Sequence, residues 1–81
     1  MSDWWVYILR CNDNSLYTGV TNDLERRVNE HNNSRQAAKY TRARRPVQLV
    51  YYESATSRAT ANKREYEIKA LRKIDKEKLL L

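Results

Sequence analysis

The chain has 81 residues, 41% of them hydrophobic, with no Phe, one Gly, one Pro and one Cys. This is the length of one small domain with a thin core. The lone Cys11 excludes a disulfide-stapled scaffold, no apolar run is long enough to span a membrane, and Asp3 stands where a secretory leader carries positive charge, so a soluble cytoplasmic protein is expected. The net charge is +6, and it is unevenly placed: from 26 to 45, Arg26, Arg27, Arg35, Lys39, Arg42, Arg44 and Arg45 face a single acid, Glu30.

"WWVYILR", 4–10, is apolar at both alternating sets of positions and predicts a strand covered on both faces. "CNDNS" has turn chemistry, and "LYTGVT", 16–21, predicts a second strand forming an antiparallel hairpin with the first. Tyr7 and Tyr17 share a sheet face if the loop has an odd number of residues, as Asn12–Asn14 or Cys11–Ser15 has. Asn22 followed by Glu25 reads as an N-cap with a capping box, opening a helix to about Asn32 with Leu24 and Val28 as its apolar anchors. Helical phase puts Arg27 and His31 beside that inward stripe and turns Arg26 away.

Residues 32–45 lack periodicity and predict a long basic loop. Arg35, Lys39, Tyr40, Arg42, Arg44 and Arg45 are its candidate nucleic-acid contacts, because basic residues interleaved with an aromatic and amides suit a phosphate backbone. A solvated loop that aids solubility is the plain alternative. Pro46 begins a third strand, "PVQLVYYES". The longest helix follows, capped near Thr56 or Ser57, with Ala61, Ile68 and Leu71 on one face and Glu65 beside them. Asp75 is expected to cap a last short helix. The pattern is α+β, in the order ββαβα plus a short C-terminal helix. Nothing in it suggests structural zinc, a nucleotide-binding glycine loop or more than one domain, and a monomer is expected.

Tyr7, Tyr17, Arg27, His31 and Glu65 are polar residues placed by pattern on or beside inward faces. Singly, each has a structural explanation; Arg27 and Glu65 in particular can be read as an ion pair between two helices. Together, "WVYIL", then "YTG" with its tyrosine ten residues after the first, then "NDLERRVNEHN", then "REYEIK" resemble the GIY-YIG nuclease superfamily, and most closely its small stand-alone bacterial branch. The resemblance spans roughly residues 4 to 73.

The resemblance implies a three-stranded antiparallel sheet flanked by helices, with both motif tyrosines on adjacent strands reaching one active site. Tyr7 and Tyr17 match those tyrosines, and Gly19 matches the glycine that ends the second motif. A glycine there is expected to let a ligand or a helix approach the strand backbone. Arg27 matches the family arginine, His31 the position one turn later, and Glu65 the family glutamate, with Glu67 as competitor. Trp5 and Val6 replace the first motif's glycine and isoleucine, Val20 stands where some relatives have lysine, and no residue matches a late asparagine. The implied function is a metal-dependent endonuclease domain hydrolysing phosphodiester bonds in nucleic acid, DNA being expected, with one Mg²⁺ or Mn²⁺ on Glu65. Arg27 is expected to hold a phosphate oxygen, one tyrosine to serve as or position the base, and His31 to bond the phosphate or pass a proton. The alternatives are a binding module of the same fold with weak or no catalysis, and a protein-interaction domain using exposed tyrosines.

Overall fold

A computed structural model describes residues 3–81. Its elements are β1 Trp4–Arg10, β2 Leu16–Thr21, α1 Leu24–Asn33, α2 Lys39–Arg42, β3 Gln48–Ala55, α3 Arg58–Lys69 and α4 Lys73–Leu79. The strands form one antiparallel sheet in the order β2-β1-β3. The central position of β1 explains its unbroken apolar run. Val6 and Ile8 pack on one side with Ala55 and with Ala61 and Ile68 of α3. Tyr7 and Leu9 pack on the other with Cys11 and Val47, flanked by Leu24 and Val28 of α1. Among the described residues no helix is long and apolar enough to cross a membrane.

Arg10 pairs with Leu16, so the hairpin loop is the five-residue Cys11–Ser15. Asp13 closes it by accepting from the Ser15 amide at 3.0 Å, and Asn14 takes φ 69, a left-handed conformation that asparagine tolerates. The odd loop length puts Tyr7 opposite Gly19 and Leu9 opposite Tyr17. Both tyrosines therefore lie on the α1 side of the sheet.

Several boundaries differ from the sequence expectation. The N-cap of α1 is Asp23, whose carboxylate accepts from the Arg26 amide at 3.1 Å; Asn22 instead accepts from the Arg26 guanidinium at 2.9 Å. Thr21 fixes this register, because its hydroxyl accepts from the Asp23 amide at 3.1 Å. The 32–45 segment is not all loop, since α2 occupies four of its residues. β3 starts at Gln48, after Pro46 and Val47, and a register shift against β1 falls between Ile8 and Leu9. α3 is capped as expected, by Ser57 of the two candidates, which accepts from the Thr60 amide at 3.1 Å. Leu71 lies past the end of α3 and is exposed. Asp75 is inside the first turn of α4 and does not cap it. α4 is held to β1 by a two-pronged pair, Arg10 donating to Glu77 at 2.6 and 2.9 Å. That guanidinium, helped by Lys73, holds the Glu77 carboxyl down to about 2.

Candidate active site

A cavity of about 220 Å³ opens at the β2 edge of the sheet, where α1 and α3 approach from opposite sides. Tyr7, Tyr17 and Gly19 reach it from the strands, and Arg27 from α1. Trp4, Val20 and α3 residues Arg58, Asn62 and Glu65 complete it. Four of the five residues singled out from sequence thus share one concave surface.

Arg27 and Glu65 are not an ion pair with each other. Arg27 donates to Glu30 of its own helix at 3.1 Å and to the Gln36 carbonyl at 2.9 Å, while Glu65 lies 3.3 Å from Lys69 one turn on. Both keep a side in the cavity. Glu67 is outside it and lies 3.7 Å from Arg64. Helical phase separates the two glutamates: Glu65 shares a face with Arg58 and Asn62, at i, i+4 and i+7.

His31 is the fifth residue, and of its two expected roles the bond to phosphate does not fit its position. It is completely buried behind Tyr7 and does not line the cavity. Its Nε2 is 2.7 Å from the Tyr7 hydroxyl and its Nδ1 is 2.7 Å from the Thr41 hydroxyl. The direction of this chain follows from proton counting. Thr41 gives its one hydroxyl proton to the Ala38 carbonyl at 3.0 Å, so it must accept from His31 Nδ1–H. Burial, with the positive charges of Arg27 and Arg45, pushes His31 down to about 4 against the opposing pull of Glu30, so the ring is neutral at pH 7. Nε2 is then a bare acceptor, and Tyr7 donates to it. The Tyr7 hydroxyl oxygen keeps its lone pairs as acceptors, with the Arg27 guanidinium beside it as a donor. Burial also lifts Tyr7 to about 12, despite the nearby Arg27, so Tyr7 is a phenol at neutral pH.

Gly19 has a different purpose from the one expected. A Cβ built there would lie 2.4 Å from the Tyr7 hydroxyl oxygen and 2.5 Å from Cζ. The glycine makes room for the phenol of its own cross-strand partner.

The basic segment divides into two groups and one residue apart from them, Arg45. Arg35, Lys39 and Arg42 are exposed. Tyr40 stacks on Tyr17, with ring centroids 6.1 Å apart and planes 25° apart, and the Arg44 guanidinium lies 3.7 Å over the Tyr40 ring. Arg44 also meets Asp13 at 3.0 Å. A cation and two aromatic rings therefore form a stack leading out of the cavity. Arg45 belongs to neither group as a free phosphate contact: it donates to the carbonyls of His31 at 2.6 Å, Glu30 at 3.3 Å and Ser34. These are groups at the C-terminal end of α1, so Arg45 is a helix cap supplied from the chain leading into β3.

Sequence reasoning missed Trp4, Thr41, Arg58 and Asn62. The i, i+4, i+7 spacing of Arg58, Asn62 and Glu65 was a usable signal for two of them. Nothing local marks Thr41, which matters only through His31.

With this geometry in place, comparison with known proteins is informative. Residues 3–78 match the model of the GIY-YIG catalytic domain. A UPF0213 protein from Staphylococcus saprophyticus is 51% identical over 80 residues, covering 99% of this chain and 96% of that one. Another from Haloquadratum walsbyi is 52% identical over 80 residues, covering 98% and 89%. A third, from Desulfotalea psychrophila, is 56% identical over 68 residues, covering 84% of this chain and 62% of that one. The solution structure of a UPF0213 protein from Bacillus halodurans aligns with TM-score 0.61 and 45% identity, over 95% of this chain and 81% of the other. It has the α+β architecture described above.

Proposed function

The chain belongs to the GIY-YIG catalytic domain family, and from that premise we propose that it is a metal-dependent endonuclease that hydrolyses phosphodiester bonds in nucleic acid, DNA being the proposed substrate. One observation carries this reading. Tyr7, Tyr17, Arg27 and Glu65 share a cavity in which the cation and the carboxylate are not spent on each other. A structural ion pair has no need of that separation.

Each side chain then has a task. Arg27 holds a non-bridging phosphate oxygen through a charge-assisted hydrogen bond. Tyr7 is favoured over Tyr17 as the group that positions the attacking water, because only Tyr7 has its proton committed to an acceptor, His31 Nε2, which leaves its oxygen to accept from that water. His31 thus fixes the orientation of the Tyr7 hydroxyl without touching phosphate and without taking a proton. Tyr17 lines the wall beside the scissile group and continues into the Tyr40–Arg44 stack, which supports contact with bases or sugar along the strand.

Glu65 is the carboxylate available to a metal. A single carboxylate in an open, polar cavity suits Mg²⁺ or Mn²⁺, which retain most of their water ligands. When bound, such an ion supplies Lewis acidity to the phosphoryl and leaving oxygens. All of these groups come from one chain, so a monomer suffices. Val20, an apolar wall where some relatives carry lysine, favours the second reading, a binding module of the same fold with weak catalysis.

A plasmid-nicking assay with Mg²⁺ or Mn²⁺ tests the proposal. Glu65→Gln should lower the rate by on the order of a hundredfold or more while nucleic-acid binding persists. Mn²⁺ titration should broaden amide signals near residue 65 in the wild type and not in the variant. Equal broadening in both proteins would remove Glu65 as the ligand; binding without any cleavage would leave the binding-module reading.

A further inference from the structure

Arg58 is a charged cavity residue that the catalytic scheme leaves without a task, and its position at a helix start is unfavourable for stability. It is the first residue of α3, where the helix dipole is positive, and the first turn carries no acidic residue to offset it. A cation is normally disfavoured there. Its guanidinium carbon lies 5.6 Å from the Trp4 ring centroid, a distance at which the ring face attracts the cation. Such a placement restrains the side chain and leaves its rim of N–H donors free for a planar, two-oxygen partner. Arg27, by contrast, already gives donors to Glu30 and to the Gln36 carbonyl. Two helical turns, about 10 Å along the axis, separate Arg58 from Glu65. That spacing along one helix face suits two successive phosphates of a strand.

We propose that Arg58 is a phosphate clamp for the nucleotide adjacent to the scissile bond, holding the substrate strand along α3 while Arg27 and Glu65 address the reacting phosphate. The ligand class is a nucleic-acid phosphodiester, so the proposal rests on the nucleic-acid reading above. Arg58 positions the strand and takes no part in proton transfer. Its removal therefore weakens binding, relieves an unfavourable charge at a helix start, and leaves the chemical step largely intact.

The test uses the full chain. A fluorescent oligonucleotide is titrated by anisotropy at several salt concentrations with Glu65→Gln and with Glu65→Gln/Arg58→Ala, so that cleavage does not intrude. Arg58→Ala should weaken binding about tenfold or more. It should reduce the steepness of the log affinity against log salt plot by about 0.7 to 0.9, one phosphate contact. Arg58→Lys should restore the slope but only part of the affinity. The melting temperature of Arg58→Ala should hold or rise. With Glu65 intact, the same change should raise KM and leave kcat within a few-fold. If the oligonucleotide binds and the salt slope does not change, or if melting falls in step with affinity, the clamp is wrong and the nuclease reading stands. If the protein binds with an Arg58-dependent slope but never cleaves, the clamp stands and the hydrolase reading falls. If it binds no nucleic acid at low salt, both fall.

Discussion

At the scale of single residues, the site is built around the Tyr7 phenol, which has to be buried, hydrogen-bonded and yet open to the cavity on one side. Gly19 is the residue that permits this. Gly19→Ala should push the phenol off its position, at a cost of about 1–3 kcal/mol for overpacking, and, on the nuclease reading proposed above, should slow cleavage as Tyr7 leaves His31. Adding Tyr7→Phe to the same chain should recover little stability, because Cζ at 2.5 Å and Cε1 at 2.9 Å still clash with the new methyl. Urea denaturation of the single and double variants checks this; full recovery in the double variant would mean that the hydroxyl alone sets the crowding. Tyr7, Tyr17, Arg27 and Glu65 were legible in the sequence because alternation and helical phase report which face a residue occupies. The reason for Gly19 was not, because it depends on which residue lies across the strand pair, and that is settled by the hairpin loop length. His31 was legible as a member of the site but not as a buried one. Its partners, Tyr7 and Thr41, are distant in sequence, and without them a buried imidazole would be costly.

At the scale of elements, β1 and β2 matched the sequence pattern to the residue, while the bounds of β3 and the caps of α1 and α4 did not. Asp23 displaced Asn22 as the cap of α1 because the Thr21 hydroxyl organises the turn before it, and α2 arose where no periodicity could announce a single helical turn. The other end of α1 is held by Arg45, which no local rule reveals. Arg45→Ala should therefore cost about 1–3 kcal/mol by leaving carbonyls of His31, Glu30 and Ser34 without their charged donor. Amide exchange should accelerate in the last turn of α1. Arg42→Ala, one of the exposed cations of the same basic segment, should leave stability within about 0.5 kcal/mol and weaken nucleic-acid binding instead. Thermal melting and salt-dependent binding, measured on both, separate the two roles. Similar losses of stability in both variants would show that the segment is a single structural unit rather than a scaffold residue beside a contact residue.

At the scale of the whole molecule, one buried ring couples folding to pH. His31 sits near 4 in the folded protein against 6.5 in an open chain. Between those values the unfolded chain takes up a proton that the native one refuses. Stability is then lost as pH falls through this window, by about 2–3 kcal/mol at pH 4.5, and the loss levels off once the native ring also protonates. His31→Gln removes the titration, so its urea midpoint should fall less between pH 7 and pH 4.5 than that of the wild type. Carboxylates such as Glu77, held low by their cations, titrate in both proteins and cancel in the comparison. Parallel falls would mean that His31 is not held neutral.

The hydrogen-bond chain from Tyr7 through His31 ends on α2, at Thr41, and this sets a constraint on chain length. Surface connections ordinarily accept added residues at little cost. The connection between α1 and α2 is different, because the Gln36 carbonyl receives Arg27 and the Ala38 carbonyl receives Thr41. One residue inserted between Ser34 and Ala38 would move an acceptor away from the arginine or rotate the threonine away from the imidazole. A stretch that lacks periodicity in the sequence and reads as a long basic loop is thus one whose length is constrained. Grafting a longer recognition loop onto this scaffold would have to begin beyond Thr41.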